Sequence, residues 1–212
     1  RWSLVAPLLE PRPSDTERSH LQALQLLERH GVLTREGTLG EQHPGGFAAV
    51  YGLLRALEER GQVRRGYFVA GLGGAQFATP GSVDRLRDHR ERPEIQQVVA
   101  LGAADPAQPY GASLVWPQSA GRPARVAGGH VVLADGHPLI FLDRGARSVA
   151  TFDSTLEDPA WVGALIQLAC SGRVSAIEIQ KIEGEPALGH PVSEMLVAYG
   201  FRPGFKGPTF RS

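Results

Sequence analysis

The chain has 212 residues, of which 42% are hydrophobic and 21% are charged. This length allows one large or two small hydrophobic cores, and the composition excludes an intrinsically disordered protein. The 22 basic and 22 acidic side chains cancel, which excludes the global basic field of a strong nonspecific nucleic-acid binder. Any contact with DNA therefore has to be local.

Cysteine content and hydropathy narrow the class of protein further. Cys170 is the only cysteine, so the chain can form neither an internal disulfide nor a cysteine metal cluster. No run reaches the roughly 18 apolar residues that a membrane span requires, and the first residues do not resemble a signal peptide. We expect a cytoplasmic protein without a membrane partner. The first residue is Arg1 rather than Met, which suggests a fragment.

Two helical segments are predicted near the start of the chain. Ser14 and Glu17 form a capping-box pattern for the first helix, and Gly31 is its expected C-cap. Thr34 can cap a second, short helix. Residues 1–5 alternate apolar and polar side chains, which predicts a short strand or an N-terminal arm. The first helix carries four residues at helical spacing: Leu21, Leu24, Leu27 and His30.

A third helix and a glycine-tipped hairpin follow. Apolar residues recur at helical spacing over residues 47–60, and Gly61 ends the run. The β-prone runs 62–69 and 76–78 flank a glycine-rich tip and predict a hairpin. Three helices followed by such a hairpin form the plan of a winged helix, in which the third helix is the candidate recognition element. A short helix over residues 83–87 would close this domain.

The remainder of the chain has the pattern of a mixed α/β module. The predicted strands are 97–101, 130–134, 139–142 and 148–152. The other predicted elements are a helix over 158–171, a strand over 175–182, a helix over 192–199 and a last strand at 200–201. The fold class is therefore α+β, with an N-terminal winged helix (a helix-turn-helix variant) and then a mixed α/β module that contains an antiparallel meander or a small barrel. We place the two domains at residues 1–92 and 93–212.

Several stretches resemble the last winged helix of the Lhr-type (large helicase-related) DNA helicases. The first begins with His43-Pro44-Gly45-Gly46-Phe47. The stretches are residues 43–51, 54–59, 63–69, 71–72 and 74–78. Residues 1–4, residues 105–112 and the pair Trp116-Pro117 are also similar to that family, so the likeness covers nearly the whole chain.

The resemblance implies a place in an ATP-driven 3′-to-5′ DNA translocase involved in DNA repair. Its C-terminal region is a string of winged helices that ends in a β-barrel module, and this chain would be the last two pieces. The sequence has no Gly-x-x-x-x-Gly-Lys-[Ser/Thr] phosphate loop and no acidic Mg²⁺ box, so we expect ATP and Mg²⁺ in the parent motor and no cofactor in this chain. The implied partners are DNA, as a single strand or a tailed duplex, the upstream winged helices, and a second copy of the chain.

Four residues are the candidate nucleic-acid contacts. Arg55, Arg64 and Arg65 could contact phosphate groups of DNA, and Gly73 in the glycine-rich tip could let the backbone of the wing approach a DNA strand. Such contacts position a nucleic acid and carry no sequence information.

A scaffold role stays open beside DNA binding. The N-terminal half of the third helix, residues 47–52, lacks the Arg, Lys, Asn and Gln side chains that read bases. Arg55 could simply pair with Glu58 or Glu59 at helical spacing. A role in assembly would use aromatic side chains that face a partner, although core packing is the default for each of them. These aromatic residues are Trp2, Tyr110, Trp116, Trp161 and Phe205.

An enzymatic alternative also stays open. The C-terminal region of the Lhr family resembles winged-helix DNA glycosylases, which flip a damaged base into a pocket and use a carboxylate or an amide to orient water. Asp105 and Gln76 are the candidates for that role, but an Asx turn explains Asp105 better because it precedes a proline. We assign no catalytic residue. The seven histidines lack the spacing of metal ligands, so no metal site is expected.

Overall fold

The computed structural model describes residues 2–90, 96–152 and 159–211. The chain divides into two compact units, residues 1–91 and 92–212, and each unit has a hydrophobic core of its own. The boundary that the sequence predicts, between residues 92 and 93, lies outside the described residues.

The first unit has the element order of a winged helix. Its elements are α1 (Asp15–His30), β1 (Val32–Leu33), α2 (Arg35–Gly40), α3 (Gly46–Glu59), β2 (Arg64–Gly66), β3 (Gln76–Ala78) and α4 (Pro80–Asp88). The three strands form an antiparallel sheet in the order β1-β3-β2. Residues 67–75, between β2 and β3, form the wing. This arrangement confirms the predicted winged helix.

Local signals in the sequence determine where α1 and α2 begin. The Ser14 hydroxyl accepts a hydrogen bond from the Glu17 N–H at 3.2 Å, and the Glu17 carboxylate accepts one from the Ser14 N–H at 2.9 Å. The Thr34 hydroxyl accepts from the Gly37 N–H at 3.0 Å. Gly31, with a φ of 67°, ends α1. Because these caps satisfy backbone groups that a helix end leaves unpaired, the predicted caps are confirmed.

The core of the first unit lies between α1, α3 and the sheet. Its buried members are Ala23, Leu26, Leu27, Leu33, Val50, Leu54, Leu57, Val63 and Phe77. The Phe77 ring lies 5.9 Å from that of Tyr51 and 6.3 Å from that of Phe47, so aromatic packing joins α3 to β3. Leu21 and Leu24 share the helical spacing of Leu27 but are exposed.

The segment that precedes α1 is an arm and not a strand. Its only regular element is a single 3-10 turn, Ala6–Leu9, and Trp2, Leu4 and Leu8 are exposed. A strand needs a partner edge, and no strand in the described ranges pairs with residues 2–9. The strand interpretation is therefore wrong.

The second unit is a mixed α/β fold. Its elements are β4 (Val98–Gly102), β5 (His130–Ala134), β6 (His137–Leu142), β7 (Ser148–Thr151), α5 (Ala160–Cys170), β8 (Ala176–Glu178), β9 (Lys181–Ile182), β10 (Glu185–Pro186), α6 (Pro191–Ala198) and β11 (Thr209–Arg211). Strands β4 to β7 run antiparallel, which confirms the predicted meander. Strand β9 runs parallel to β7, and β11 pairs with β8 in a separate two-stranded sheet.

The large sheet of the second unit is open. Its strand order is β10-β9-β7-β6-β5-β4, and among the described strands the two edges, β10 and β4, do not pair with each other. Closure into a barrel would require that pairing. The predicted barrel is therefore wrong.

Both faces of this sheet are covered. Ile140, Leu142 and Val149 lie in the main core, to which α5 and α6 contribute Trp161 and Leu196. Since successive side chains of a strand point to opposite faces, the intervening residues belong to the other face. There the long segment 103–129 supplies Trp116, which packs on Phe141, Ala150 and Phe152.

Two predictions for the second unit need correction. The single strand predicted over 175–182 is two strands, β8 and β9, in different sheets. The chain changes partner between them, because the Ile179 N–H donates to the Pro208 carbonyl and the Gln180 N–H donates to the Arg147 carbonyl. The last strand is β11 and not residues 200–201. The predicted start of α5 at Asp158 lies outside the described residues.

No helix within residues 2–90, 96–152 or 159–211 is long and apolar enough to cross a membrane. The same ranges contain no group of three or more His, Cys, Asp or Glu side chains that could hold a metal ion.

Candidate nucleic-acid interface

Small side chains form the exposed face of α3. Ala48, Ala49 and Gly52 are exposed, whereas Val50 and Leu54 point into the core. Reading of base edges requires side chains that donate or accept two hydrogen bonds, and the first two turns of α3 carry none. This face lets a backbone come close but does not distinguish one base from another.

The predicted arginines lie on α3 and β2. Arg55 is exposed, and its Nη2 lies 3.7 Å from Glu59 Oε1. Arg65 Nε lies 3.3 Å from Glu58 Oε1, which ties β2 to α3. Exposed ion pairs of this kind stabilise a fold by at most about 1 kcal/mol, so both arginines remain available to an anion.

The side chains of Arg64 and Arg65 lie on opposite faces of β2. Successive side chains of a strand point to opposite faces, so Arg64 faces away from the side on which Arg65 meets Glu58. Arg64 is exposed, and no carboxylate of the described residues lies within 4.0 Å of it. Each face of β2 therefore carries one cation.

A single buried amide holds the wing. Gln76 is fully buried, and its Oε1 accepts from the N–H groups of Phe68 and Val69 at 2.8 Å each. Its Nε2 donates to the carbonyls of Val69 at 3.0 Å and Leu72 at 3.3 Å. All four hydrogen-bonding positions of the amide are used. Gln76 therefore shapes the wing and has no position left to orient a water molecule for a glycosylase step.

The tip of the wing exposes its backbone. Gly71 and Gly74 adopt left-handed conformations, with φ of 77° and 82°. Gly73 has open space where a Cβ would stand, so a nucleic-acid strand could approach the main chain there. Glycine suits such a tip because it adopts positive φ without steric cost.

The sequence reasoning missed two residues at this surface. Arg35, the first residue of α2, lines a groove of about 670 Å³ that also involves Phe47, Tyr51 and Gly74. Tyr67, at the base of the wing, is 89% exposed. Tyr67 lies in the β-prone run 62–69, so the sequence could have placed this side chain on the hairpin. No local signal places Arg35 at the groove, because the wing side of the groove lies some 40 residues away along the chain.

The second unit contains the other enzymatic candidate, Asp105. Its Oδ1 accepts from the Ala107 N–H at 2.8 Å, which is the Asx turn that the sequence favours. A separate recess of about 540 Å³ brings Gln118, Thr151 and Glu183 together. In it the Thr151 hydroxyl donates to the Glu183 carboxylate.

The aromatic residues divide between core and surface. Trp161 is fully buried, whereas Trp2 and Phe205 are almost fully exposed. Trp116 stacks on Tyr110 at 5.6 Å between ring centroids. The Tyr110 hydroxyl donates to the Gly136 carbonyl at 3.0 Å, and burial raises the pKa of Tyr110. Core packing thus explains Trp116 and Trp161 but not Trp2 or Phe205.

Comparison with known proteins places both units in one family. Residues 12–98 match the family model described as the winged-helix domain of the large helicase-related protein. Over 196 residues, or 89% of the chain, it is 46% identical to the Lhr helicase/probable uracil glycosylase of Mycolicibacterium smegmatis (strain ATCC 700084 / mc(2)155). Over 162 residues, or 74% of the chain, it is 39% identical to the Lhr helicase/uracil glycosylase of Escherichia coli (strain K12).

The chain corresponds to 13% and 10% of the lengths of these two relatives. The match of 196 residues is longer than either compact unit, so the likeness includes the winged helix and the α/β unit. The predicted resemblance is confirmed. The chain belongs to the large helicase-related (Lhr) family, and residues 12–98 are its winged-helix domain.

Proposed function

We propose that this chain is a DNA-binding module of an Lhr-family helicase, which holds the sugar-phosphate backbone without reading sequence. The observation that supports this role is the small-residue face of α3, which lies in the same unit as an accessible wing backbone and a cation on each face of β2. Phosphate contacts of this kind position DNA and carry no sequence code. The motor that uses ATP and Mg²⁺ would lie elsewhere in the parent protein.

Fluorescence anisotropy with labelled single-stranded DNA and with a tailed duplex, over a series of salt concentrations, tests this role. We expect the dissociation constant to rise with salt and to be the same for two strands of different sequence. Arg64→Ala and Arg65→Ala should each lower the salt slope by about 0.7 on single strands, since each removes one phosphate contact.

The matched control is Arg18→Ala. Arg18 is an exposed arginine of α1 whose Nη1 lies 3.8 Å from Asp15 Oδ1. This substitution removes the same charge from another element and should leave the slope unchanged. Absence of binding, or an equal loss in the control, would contradict the proposal.

Removal of a damaged base is a second candidate function, favoured by the recess of the second unit. Both relatives carry uracil glycosylase in their names. In this chain Glu183 presents a carboxylate to that recess beside Gln118, and a carboxylate is a group that can activate water against a flipped base.

Incubation with uracil-containing single-stranded DNA, followed by alkaline cleavage at abasic sites, tests base release. We expect Glu183→Gln to abolish release and Asp105→Asn to retain it, because the Asp105 side chain caps its own turn. Release that persists in Glu183→Gln would show that the recess is not the site.

A structural role in assembly has support of its own. Trp2 and Phe205 are large, apolar and almost fully exposed, whereas core packing is the default for such aromatic side chains. Sedimentation without DNA tests this role. A mass that rises with concentration in the parent sequence, and falls to that of a monomer in Trp2→Ser/Phe205→Ser, would support it, whereas a monomer throughout would count against self-association.

A further inference from the structure

One end of the six-stranded sheet in the second unit collects basic side chains. Strand β6 ends there at Leu142, and β7 begins there at Ser148. Arg144 and Arg147 lie in the turn between these strands. The Arg147 carbonyl accepts from the Lys181 N–H at 3.1 Å, so β9 begins beside the same turn. Arg144, Arg147 and Lys181 are called the basic corner below.

A fourth cation lies at this end. Arg173 is close enough to His130, at the start of β5, to contribute to its lowered pKa. Burial is the larger cause of that lowered pKa, and the repulsion from Arg173 adds to it. The lowered pKa disfavours a charge on His130, so the positive charge here comes from arginine and lysine.

The carboxylates nearest the basic corner are engaged within the protein. Asp143 Oδ1 accepts from the N–H groups of Arg147 at 2.7 Å and Ser148 at 2.9 Å. Glu178 Oε1 accepts from Gln180 Nε2 at 3.1 Å. The hydrogen bonds of Asp143 also fix the turn, so the arginines stand on a rigid support.

The opposite end of the sheet carries the reverse charge. The turn between β5 and β6 holds Asp135, and the turn between β9 and β10 holds Glu183. At the β4 edge of the basic end, Arg125 Nη2 donates to the backbone carbonyl of Asp105 at 3.0 Å. At the basic end Arg144, Arg147, Lys181 and Arg173 outnumber the carboxylates of Asp143 and Glu178, so the local charge is positive.

The basic corner suits a polyanion better than a protein partner. Its three side chains are exposed, and none has a carboxylate of the described residues within 4.0 Å. No large hydrophobic side chain is exposed within residues 127–152 or 159–187. Protein interfaces are anchored by such side chains at their centre, whereas the three members of the basic corner are all charged; the exposed hydrophobic residues next to these ranges are Val126 and Leu188.

We infer that the basic corner is a second nucleic-acid contact of this chain, which holds phosphate groups of a DNA strand independently of the wing. The inference rests on the proposed function in one respect, namely that DNA is the polyanion. It goes beyond that function because it assigns a binding role to the α/β unit.

Anisotropy of labelled single-stranded DNA with the whole 212-residue chain tests the inference. In Arg144→Gln/Arg147→Gln we expect binding to weaken roughly 10-fold or more at about 0.1 M salt, and the salt slope to fall by about 1.4, for two lost phosphate contacts. Arg202→Gln/Lys206→Gln removes the same charge from another part of the second unit and should behave like the parent sequence.

Two further variants separate charge from folding. Arg144→Lys/Arg147→Lys keeps the charge and should keep the salt slope. Lys181→Gln alters a different strand and should lower the slope by about 0.7. Circular dichroism of each variant reports whether the second unit is folded.

The outcomes distinguish this inference from the proposed function. Weaker DNA binding in the variants of the basic corner, with unchanged binding in Arg202→Gln/Lys206→Gln, supports the inference. If Arg64→Ala/Arg65→Ala then has no effect on binding, only the proposal for the wing fails. If a variant of the basic corner binds DNA as tightly as the unmutated chain or as the control variant, the inference is overturned and the proposal for the wing is unaffected. Absence of DNA binding by the unmutated chain overturns both the proposed function and this inference.

Discussion

At the scale of single residues, Gln76 determines the shape of the wing. Its amide satisfies two N–H groups and two carbonyls that the loop cannot pair within itself. Gln76→Met keeps a similar volume but leaves these partly buried groups without partners. We expect the free energy of unfolding of the first unit to fall by about 2 kcal/mol or more, as measured by urea unfolding. Gln62→Met, at an exposed position before the same hairpin, should cost little, and an equal loss in both variants would contradict this account.

Gly111 is a second residue whose environment makes a sharp prediction. Its φ is 76°, and a Cβ would stand 2.6 Å from Trp116 Nε1. Gly111→Ala must therefore displace the Trp116 ring from its stack on Phe152. Gly136→Ala has a similar φ of 83° but open space for the Cβ, so it isolates the backbone cost of about 1 kcal/mol. We expect Gly111→Ala to destabilise the second unit more than Gly136→Ala and to change the near-ultraviolet circular dichroism. Equal effects would show that the Trp116 contact is unimportant.

At the scale of elements, the start of α1 depends on pH. Hydrogen bonds from the Ser14 backbone and side chain lower the pKa of Glu17 from its ordinary value of 4.5. A carboxyl whose pKa is lower in the folded state contributes stability above its unfolded pKa, and this contribution is lost as the pH falls through the folded pKa. We expect α1 to lose stability below about pH 4.5 in the parent sequence, and Glu17→Gln to lack this part of the acid dependence. Amide hydrogen exchange of the first turn between pH 3 and 7, at roughly unit intervals, measures it; an identical profile in Glu17→Gln would contradict the assignment.

Elements that are defined by neighbouring residues could be predicted, whereas those defined by distant partners could not. The capping box of α1 and the cap at Thr34 involve residues three apart, and the sequence shows them. Strand β1 is two residues long and exists only because β3 lies beside it. The division of residues 175–182 into two strands depends on partners at Arg147 and Pro208, which no local pattern reveals.

The same distinction applies to the candidate site. The pairing of Arg55 with Glu59 follows helical spacing and was available from the sequence. The pairing of Arg65 with Glu58 crosses from a strand to a helix. It shows which face of β2 each arginine occupies, and only the fold reveals it. The basic corner is also non-local, since Arg147 and Lys181 are brought together by parallel pairing of β7 with β9.

At the scale of the whole molecule, two separate cores predict two separate unfolding transitions. Leu54 is fully buried in the core of the first unit, and Leu165 is fully buried in that of the second. Truncation of either residue to alanine should cost about 2–5 kcal/mol. Tryptophan fluorescence reports mainly the second unit, because Trp116 and Trp161 lie there and Trp2 is already exposed. Helical circular dichroism reports both units.

We therefore expect Leu54→Ala to lower the midpoint of one transition in the circular dichroism and to leave the fluorescence transition in place. Leu165→Ala should lower the midpoints of the fluorescence transition and of the other circular-dichroism transition, and leave the transition that Leu54→Ala shifts in place. If Leu54→Ala also shifted the fluorescence transition, or Leu165→Ala shifted every circular-dichroism transition, the two units would unfold as one cooperative body. Independent transitions would instead mean that a damaged wing leaves the basic corner folded, because the corner draws its stability from the second core alone. The wing and corner variants could then be compared in the same chain without a shared folding defect.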